Sequence, residues 1–460
     1  MKKILPILIT FLTLPHSWAQ NKEECLQNLS IFAESAKVKN YEAAYSTWKA
    51  VRDSCPDLNV AIYSYGERIL KDRIQKGADA DKGATAKDLI RLYDQWVEYF
   101  PTRKGVSKKG DIISKKAQAM LDYKTADLSA VYSTFDTAYQ EDAKSFTNPK
   151  MLYNYFNTLY KLYKSGSAGV SMEQLFEKYE EISEKFEVEQ TNLAKRIDKI
   201  LKKEEAGEAM SSRELRNKRA FEINSKAFGV FASNLDAIIA KEATCENLIP
   251  LYERNFEANK GDAVWLKRAA SRMDSKDCSD APLFVTLVEA LHQLDPSADS
   301  AYYLGLLKDK SGDENGALQY YEESIALETD NYKKAKILFK IATKFKNKGR
   351  KSKARSYARK ALSFQPSMGR AYLLIANLYA SSANDCGKTQ FEKRAMYWLA
   401  AQMAEKAARV DASIKKLALK TAESYKGRAP SKTDIFTEGN EGAVIKFNCW
   451  VGESVTVPKL

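Results

Sequence analysis

The feature that most constrains this 460-residue chain is a pattern of paired amphipathic helices that recurs about every 34 residues. In the clearest copy, small residues recur at helical spacing and a proline ends the segment. These residues are Ala342, Ala354, Ala358, Ala361 and Pro366. A second copy places Leu304, Gly305, Ala317 and Tyr321 at corresponding positions. The repetition predicts antiparallel helix pairs, and therefore an all-α fold.

The same pattern opens the mature chain. In "NYEAAYSTWKAVRDSCPD", residues 40–57, Ala44, Trp48 and Val51 share one helix face and Pro56 ends the helix. The spacing of small residues, aromatic residue and proline resembles the tetratricopeptide repeat (TPR) family. That resemblance implies an α-solenoid, a superhelix of helix pairs whose concave groove is lined by the first helix of each pair.

Residues 1–19 are typical of a secretory signal peptide. Lys2 and Lys3 precede the apolar stretch 4–14, and Ser17 and Ala19 fit the positions before a cleavage site. No later stretch is apolar for long enough to predict a membrane span. We therefore expect an exported protein located in the periplasm. The signal peptide, the paired cysteines and the tail "CWVGESVTVP" together resemble exported TPR proteins of the Bacteroidota.

Beyond the signal peptide, the pattern predicts four regions. The N-terminal repeats are degenerate, the second region contains long charged helices, and the C-terminal repeats are the most regular. The last segment alternates β-branched and aromatic residues, which predicts a strand-like capping tail. The predicted boundaries are 20–187, 188–241, 242–427 and 428–460. The long helices are either oversized repeat helices or a coiled-coil-like spacer.

Six cysteines in an exported chain suggest three disulfides. Cys25 begins a first helix and Cys55 ends the second, so the two lie together in an antiparallel pair. Their bridge would stabilise a terminal repeat that has no outer neighbour. We also expect Cys245 to pair with Cys278, because both lie near turns of successive units. Cys386 and Cys449 remain, and a bridge between them would fix the tail to the last repeat.

Basic residues are concentrated in the C-terminal repeats. The chain has 73 Lys and Arg against 60 Asp and Glu, yet residues 331–384 contain no acidic residue. Such a density of positive charge favours anionic partners. The residues that the repeat pattern places in the groove are Lys336, Lys340, Lys344, Asn347, Arg370 and Asn377. We predict that they bind an acidic surface or segment of another envelope protein; the alternative is a solvated charged face.

A second possibility comes from the aromatic stretch "LYNYFNTLYKLY", residues 152–163. Tyr153 and Tyr160 could stack against sugars, which would make the protein a glycan- or peptidoglycan-binding protein. Packing between neighbouring helices is the competing interpretation and the commoner one for aromatic residues at helical spacing.

The sequence offers little for catalysis. The mature chain has a single histidine, His292, and no CxxC pair or phosphate-binding loop, so we expect no metal, no cofactor and no catalytic residue. An uncharacterised carboxylate-based hydrolase is the remaining enzyme hypothesis. We predict a non-catalytic scaffold that belongs to an outer-membrane assembly, secretion or motility complex. Nucleic acid is not an expected partner, and any association with the outer membrane would come through the partner protein.

Overall fold

The computed structural model describes residues 16–77, 79–166 and 169–460, with side chains described from residue 22 onwards and not at 79–80. Most of the predicted signal peptide lies outside the described residues. The first helix begins at His16 and runs through the predicted cleavage position. The chain divides into two compact units, residues 1–175 and 176–460, and each is described here by itself.

The first unit consists of antiparallel helix pairs. Its helices are α1 (His16–Lys37), α2 (Tyr41–Ser54), α3 (Ala61–Lys76), α4 (Asp79–Tyr99), α5 (Lys109–Asp122), α6 (Leu128–Asp142) and α7 (Pro149–Ser165). A short hairpin connects α4 to α5. Its two-residue strands, β1 (Thr102–Arg103) and β2 (Val106–Ser107), pair antiparallel. Helix α1 packs on α2 and α3 on α4, as the sequence pattern predicts. Helix α5 packs on α6, a further pair that the pattern does not indicate.

The apolar stripe of α2 fills the core of the first unit. Trp48 is fully buried, and its indole Nε1 donates a hydrogen bond to the carbonyl of Ile62, 2.7 Å away. Gly66 on α3 lies against this ring, and a Cβ at that position would come within 2.6 Å of it. The close approach of the two helices therefore requires glycine at residue 66.

The second unit begins within the long helix α8 (Met172–Glu205). Its other helices are α9 (Ser212–Ile239), α10 (Cys245–Asn259), α11 (Ala263–Ser275), α12 (Pro282–Leu294), α13 (Ala298–Lys310), α14 (Glu314–Leu327), α15 (Asn331–Asn347), α16 (Lys351–Phe364), α17 (Gly369–Ala380), α18 (Ala383–Cys386), α19 (Gln390–Val410), α20 (Lys415–Arg428) and α21 (Lys432–Glu438). Helix pairs of TPR type form from α11 and α12, α13 and α14, α15 and α16, and α17 and α19.

Small residues at the predicted positions allow the helices of each pair to approach. Ala342, Ala354, Ala358 and Ala361 are all fully buried between α15 and α16. In the preceding pair, a Cβ on Gly305 would lie 2.6 Å from the ring of Tyr321, so the aromatic side chain occupies the space that the glycine leaves. The predicted all-α, TPR-type solenoid fold is thus confirmed by the packing of the pairs.

The tail forms the predicted strand-like element. Strands β3 (Val444–Lys446) and β4 (Ser454–Thr456) pair antiparallel, with Ile445 opposite Val455. The loop between them brings Trp450 to the last repeats, where its indole Nε1 donates to the hydroxyl of Ser382 at 3.2 Å. The guanidinium of Arg355 lies 5.0 Å from the centre of the Trp450 ring, a cation–π contact.

Candidate partner-binding face

The first helices of the C-terminal pairs, α11, α13, α15 and α17, define what we call the first-helix face. Side chains link neighbouring members of this face. Lys267 on α11 forms an ion pair with Asp299 on α13 at 2.5 Å. Lys344 on α15 reaches Asp274 on α11 at 3.0 Å, and the ammonium of Lys340 lies 5.0 Å from the ring centre of Tyr302 on α13. These contacts connect α11 with α13 and α15 with both of them.

The acidic side of α8 lies along this face. The guanidinium of Arg268 binds the carboxylate of Glu184 through two hydrogen bonds of 2.8 and 2.7 Å. The ammonium of Lys336 on α15 binds the Glu187 carboxylate at 2.5 Å. Since Glu180, Glu184 and Glu187 are spaced by four and three residues, they share one side of the helix. These glutamates are not among the residues predicted from sequence, although their spacing is visible there.

Arg272 is the buried anchor between α8 and α11. Its side chain is 1% exposed and its guanidinium contacts the carboxylate of Glu180. The guanidinium carbon also lies 4.9 Å from the ring centre of Phe176 and 4.5 Å from that of Tyr179. Burial lowers the pKa of Arg272 to about 10, so the side chain remains a cation at neutral pH.

Farther along α8, Asp198 is a buried hydrogen-bond acceptor. Its carboxylate accepts a bond of 2.7 Å from the hydroxyl of Tyr332 and one of 2.8 Å from the backbone N–H of Ser367. Burial raises the pKa of Asp198, because removal from water disfavours the charged form. This residue fixes α8 to the start of α15 and to the segment before α17.

These contacts correct one premise of the charge analysis. The lysines of residues 331–384 have no acidic neighbours in that stretch of sequence, but they do find them in space. Lys336 pairs with α8, Lys344 with α11, and Lys348 with Asp309 on α13. Acids distant in sequence therefore neutralise Lys336, Lys344 and Lys348, three of the lysines that are spaced by four residues along α15 and its C-cap.

The other predicted groove residues remain accessible. Lys340, Asn347, Arg370 and Asn377 are all exposed. The side chain of Asn377 accepts a hydrogen bond from the hydroxyl of Tyr425. The structure does not gather all six predicted residues into one open site.

The aromatic stretch of α7 lies mostly in the core. Tyr155 and Phe156 are fully buried, and Tyr155 stacks against the rings of Phe135 and Phe146. Tyr153 and Tyr160 are half-buried. Packing between helices therefore accounts for the centre of this stretch, and a role of Tyr153 and Tyr160 in glycan binding stays a prediction.

All three expected disulfides are present in the structure. Cys25–Cys55, which we call the N-terminal disulfide, closes the first helix pair with Cα atoms 6.4 Å apart. Cys245 and Cys278 connect the start of α10 to the segment after α11, with Cα atoms 5.5 Å apart. Cys386–Cys449 joins α18 to the tail.

His292 does not form a nucleophile–base pair. Its Nδ1 lies 3.1 Å from the hydroxyl oxygen of Ser300, but Ser300 is fully buried and its hydroxyl also bonds the carbonyl of Asp295. These contacts fit a capped helix start better than a reactive site. Among the described residues, no cluster of metal-ligating side chains occurs and no helix is both long and apolar enough to cross a membrane.

No family model and no curated protein matches the sequence. Solved structures do match at low similarity. A TPR protein from Parabacteroides merdae is 12% identical, with a TM-score of 0.26, over 69% of this chain and 97% of that one. Yeast Tom70 is 14% identical, with a TM-score of 0.28, over 92% of this chain and 94% of that one. Cut9–Hcn1 of the APC/C is 11% identical, with a TM-score of 0.27, over 93% of this chain and 90% of that one.

Of these neighbours, the Parabacteroides merdae protein is named as a tetratricopeptide repeat protein. Because their TM-scores lie below 0.5, the assignment of a TPR-type α-solenoid depends on the helix pairs of the structure itself. An interaction scaffold is the class of protein that this fold suggests, since stacked repeats present extended surfaces to other proteins.

Proposed function

We propose that this protein is a non-catalytic scaffold of the bacterial periplasm that holds another envelope protein. An acidic segment of the partner docks on the part of the first-helix face that α8 leaves exposed. Lys340 and Arg370 supply positive charge there, and Asn347 supplies hydrogen bonds. Lys336 and Lys344 bind carboxylates of the chain itself and support this face from within.

One observation carries the proposal. The first-helix face already binds an acidic helix, because α8 contacts it through Glu180, Glu184 and Glu187. Cations on two of the first helices, α11 and α15, therefore suit a segment that presents carboxylates at helical intervals. A partner segment with carboxylates at the same intervals could pair with Lys340 and Arg370, which are exposed.

The disulfides support the proposed location. Three disulfides among the described residues, with no free cysteine, are typical of proteins in an oxidising compartment such as the periplasm. In that compartment a partner would be a protein of the outer-membrane assembly, secretion or motility machinery, and any association with the outer membrane would depend on it.

The test is co-purification from the native envelope at low salt. Replacing Lys340→Glu together with Arg370→Glu should reduce recovery of the partner about tenfold or more, because each reversal turns attraction into repulsion. The matched control is Lys87→Glu with Lys104→Glu, two exposed lysines of the first unit. Equal recovery with both variants, or no stable protein partner, would refute the proposal.

A further inference from the structure

Helix α9 presents a face that no other part of the described chain covers. Three aliphatic side chains lie on this face: Leu215, Ile223 and Val230 are 52%, 62% and 48% exposed. Arg219 and Lys226 alternate with them and are also exposed. Because these five residues follow one another at intervals of three or four, they form a single strip along the helix, which we call the α9 strip.

The cations of the α9 strip are not engaged in ion pairs within the described part of the chain. Arg219, Lys226 and the adjacent Arg216 form no ion pair with any described residue. Two carboxylates of α9 are engaged elsewhere, since Glu214 binds Lys203 and Asp236 accepts a bond from Tyr179.

The third carboxylate of α9 is Glu222, which lies half-buried next to Ile223 and forms no ion pair with Arg219 or Lys226. By contrast, Arg268, Lys336 and Lys344 of the first-helix face are each paired. The α9 strip therefore combines exposed aliphatic side chains with cations that form no ion pair among the described residues.

We propose that the α9 strip is a second docking surface, which binds an acidic amphipathic helix of a partner protein. Charge complementarity selects a segment rich in Glu and Asp, and the exposed Leu, Ile and Val select one with aliphatic residues between the acids. Such helix pairs use apolar contacts for affinity and charged flanking residues for the choice of partner.

The arrangement of the strip favours a helix over a lipid surface. Helices that lie in a membrane interface separate an apolar face from a cationic face. On α9 the cations stand within the aliphatic row, Arg219 between Leu215 and Ile223, and Lys226 between Ile223 and Val230. An opposing helix can place carboxylates at those intervals.

The chain itself contains an example of the same chemistry. Helix α8 packs its carboxylates against Arg268, Arg272 and Lys336 while burying Ile182 and Phe186. Its acids are spaced by four and three residues. A partner helix with this spacing would match the α9 strip, where the cations at residues 219 and 226 stand seven residues apart.

The experiment uses the full chain in its native cells, with the photo-cross-linker p-benzoylphenylalanine in place of Ile223. We expect an adduct whose peptide, mapped by mass spectrometry, is an acidic helical segment of a different protein. A synthetic peptide of that mapped sequence should bind the purified wild-type protein. The triple variant Arg216→Glu, Arg219→Glu and Lys226→Glu should bind this peptide about tenfold more weakly or worse.

Two controls make the result specific. The cross-linker at Val264, which is 56% exposed on α11, should not trap the same segment. A charge-matched triple, Lys87→Glu, Lys104→Glu and Lys144→Glu, should retain peptide binding. The α9 triple variant and the control triple variant both retain Lys340 and Arg370. A negative result at the α9 strip would therefore leave the proposed function untouched, because that function depends on Lys340 and Arg370.

Three outcomes would overturn the inference. One is the absence of any adduct at residue 223, and another is an adduct that maps to a second copy of this chain or to a segment without net negative charge. The third is flotation of the purified protein with phosphatidylglycerol vesicles that the triple α9 variant abolishes, since the strip would then bind lipid.

Discussion

Arg272→Ala should detach α8 from α11 locally and leave the fold intact. Breaking a buried ion pair by removing one partner costs about 3–5 kcal/mol, and Glu180 would lose its cation. Loss of the contacts with Phe176 and Tyr179 adds about 1 kcal/mol. Nε and Nη1 of Arg272 have no hydrogen-bond partner among the described residues, so deleting them returns roughly 1–2 kcal/mol. The net expectation is about 3 kcal/mol.

Hydrogen exchange measures this local effect directly. A loss of about 3 kcal/mol corresponds to roughly 100-fold faster exchange of the α8 amides from residue 176 to 187. The matched control is Arg268→Ala, one helical turn earlier, whose pair with Glu184 is more exposed, at 29% and 52% for the two side chains. That variant should cost less than about 1 kcal/mol and accelerate exchange less than about fivefold. Equal, small effects of both variants would refute the anchoring role of Arg272.

Three further outcomes are expected. Gly305→Ala should lower the free energy of unfolding by about 1–3 kcal/mol, because its Cβ would meet the Tyr321 ring, whereas Gly83→Ala, with open space around it, should be neutral or stabilising in urea titrations. Serine replacement of both cysteines of the N-terminal disulfide should cost about 3–4 kcal/mol in the unfolding of the first unit, with the second unit unchanged. Hydrogen bonds from Lys203 and Ser211 lower the pKa of Glu214 to about 2, and NMR titration of the Glu214 carboxyl should give that value. The contribution of Glu214 to stability is therefore complete above pH 4.5 and is lost as the pH falls towards 2.

The repeat architecture could be predicted because its cause is local. Close helix packing requires small residues at fixed intervals, so the spacing of Ala342, Ala354 and Gly305 along the chain is enough to indicate the pairs. The cysteine pairings also followed, since the antiparallel geometry of one hairpin brings Cys25 to Cys55. The helices of a pair lie within one repeat of each other, and so do the cysteines of the first two bridges, which are 30 and 33 residues apart. Cys386 and Cys449 are 63 residues apart, and their pairing followed because only these two cysteines remained.

The neutralisation of the lysine stripe could not be predicted, because its cause is distant in sequence. Lys336 and Glu187 are separated by 149 residues, and no periodicity connects α8 to α15. The long charged segment was compatible with a spacer as well as with a packed helix. Only the burial of Leu193, Asp198 and Ile200 distinguishes the two, and it favours the packed helix.

The placement of α8 along the first-helix face is the central claim, and zero-length carbodiimide cross-linking tests it most directly. This reagent joins an ammonium to a carboxylate only where the two already touch. We expect peptides that join Lys336 to Glu187 and Lys195 to Asp330, which lie 2.5 and 3.0 Å apart. The pair Lys344 and Asp274, within the repeats, is the positive control. Recovery of the control link without either α8 link would contradict the account.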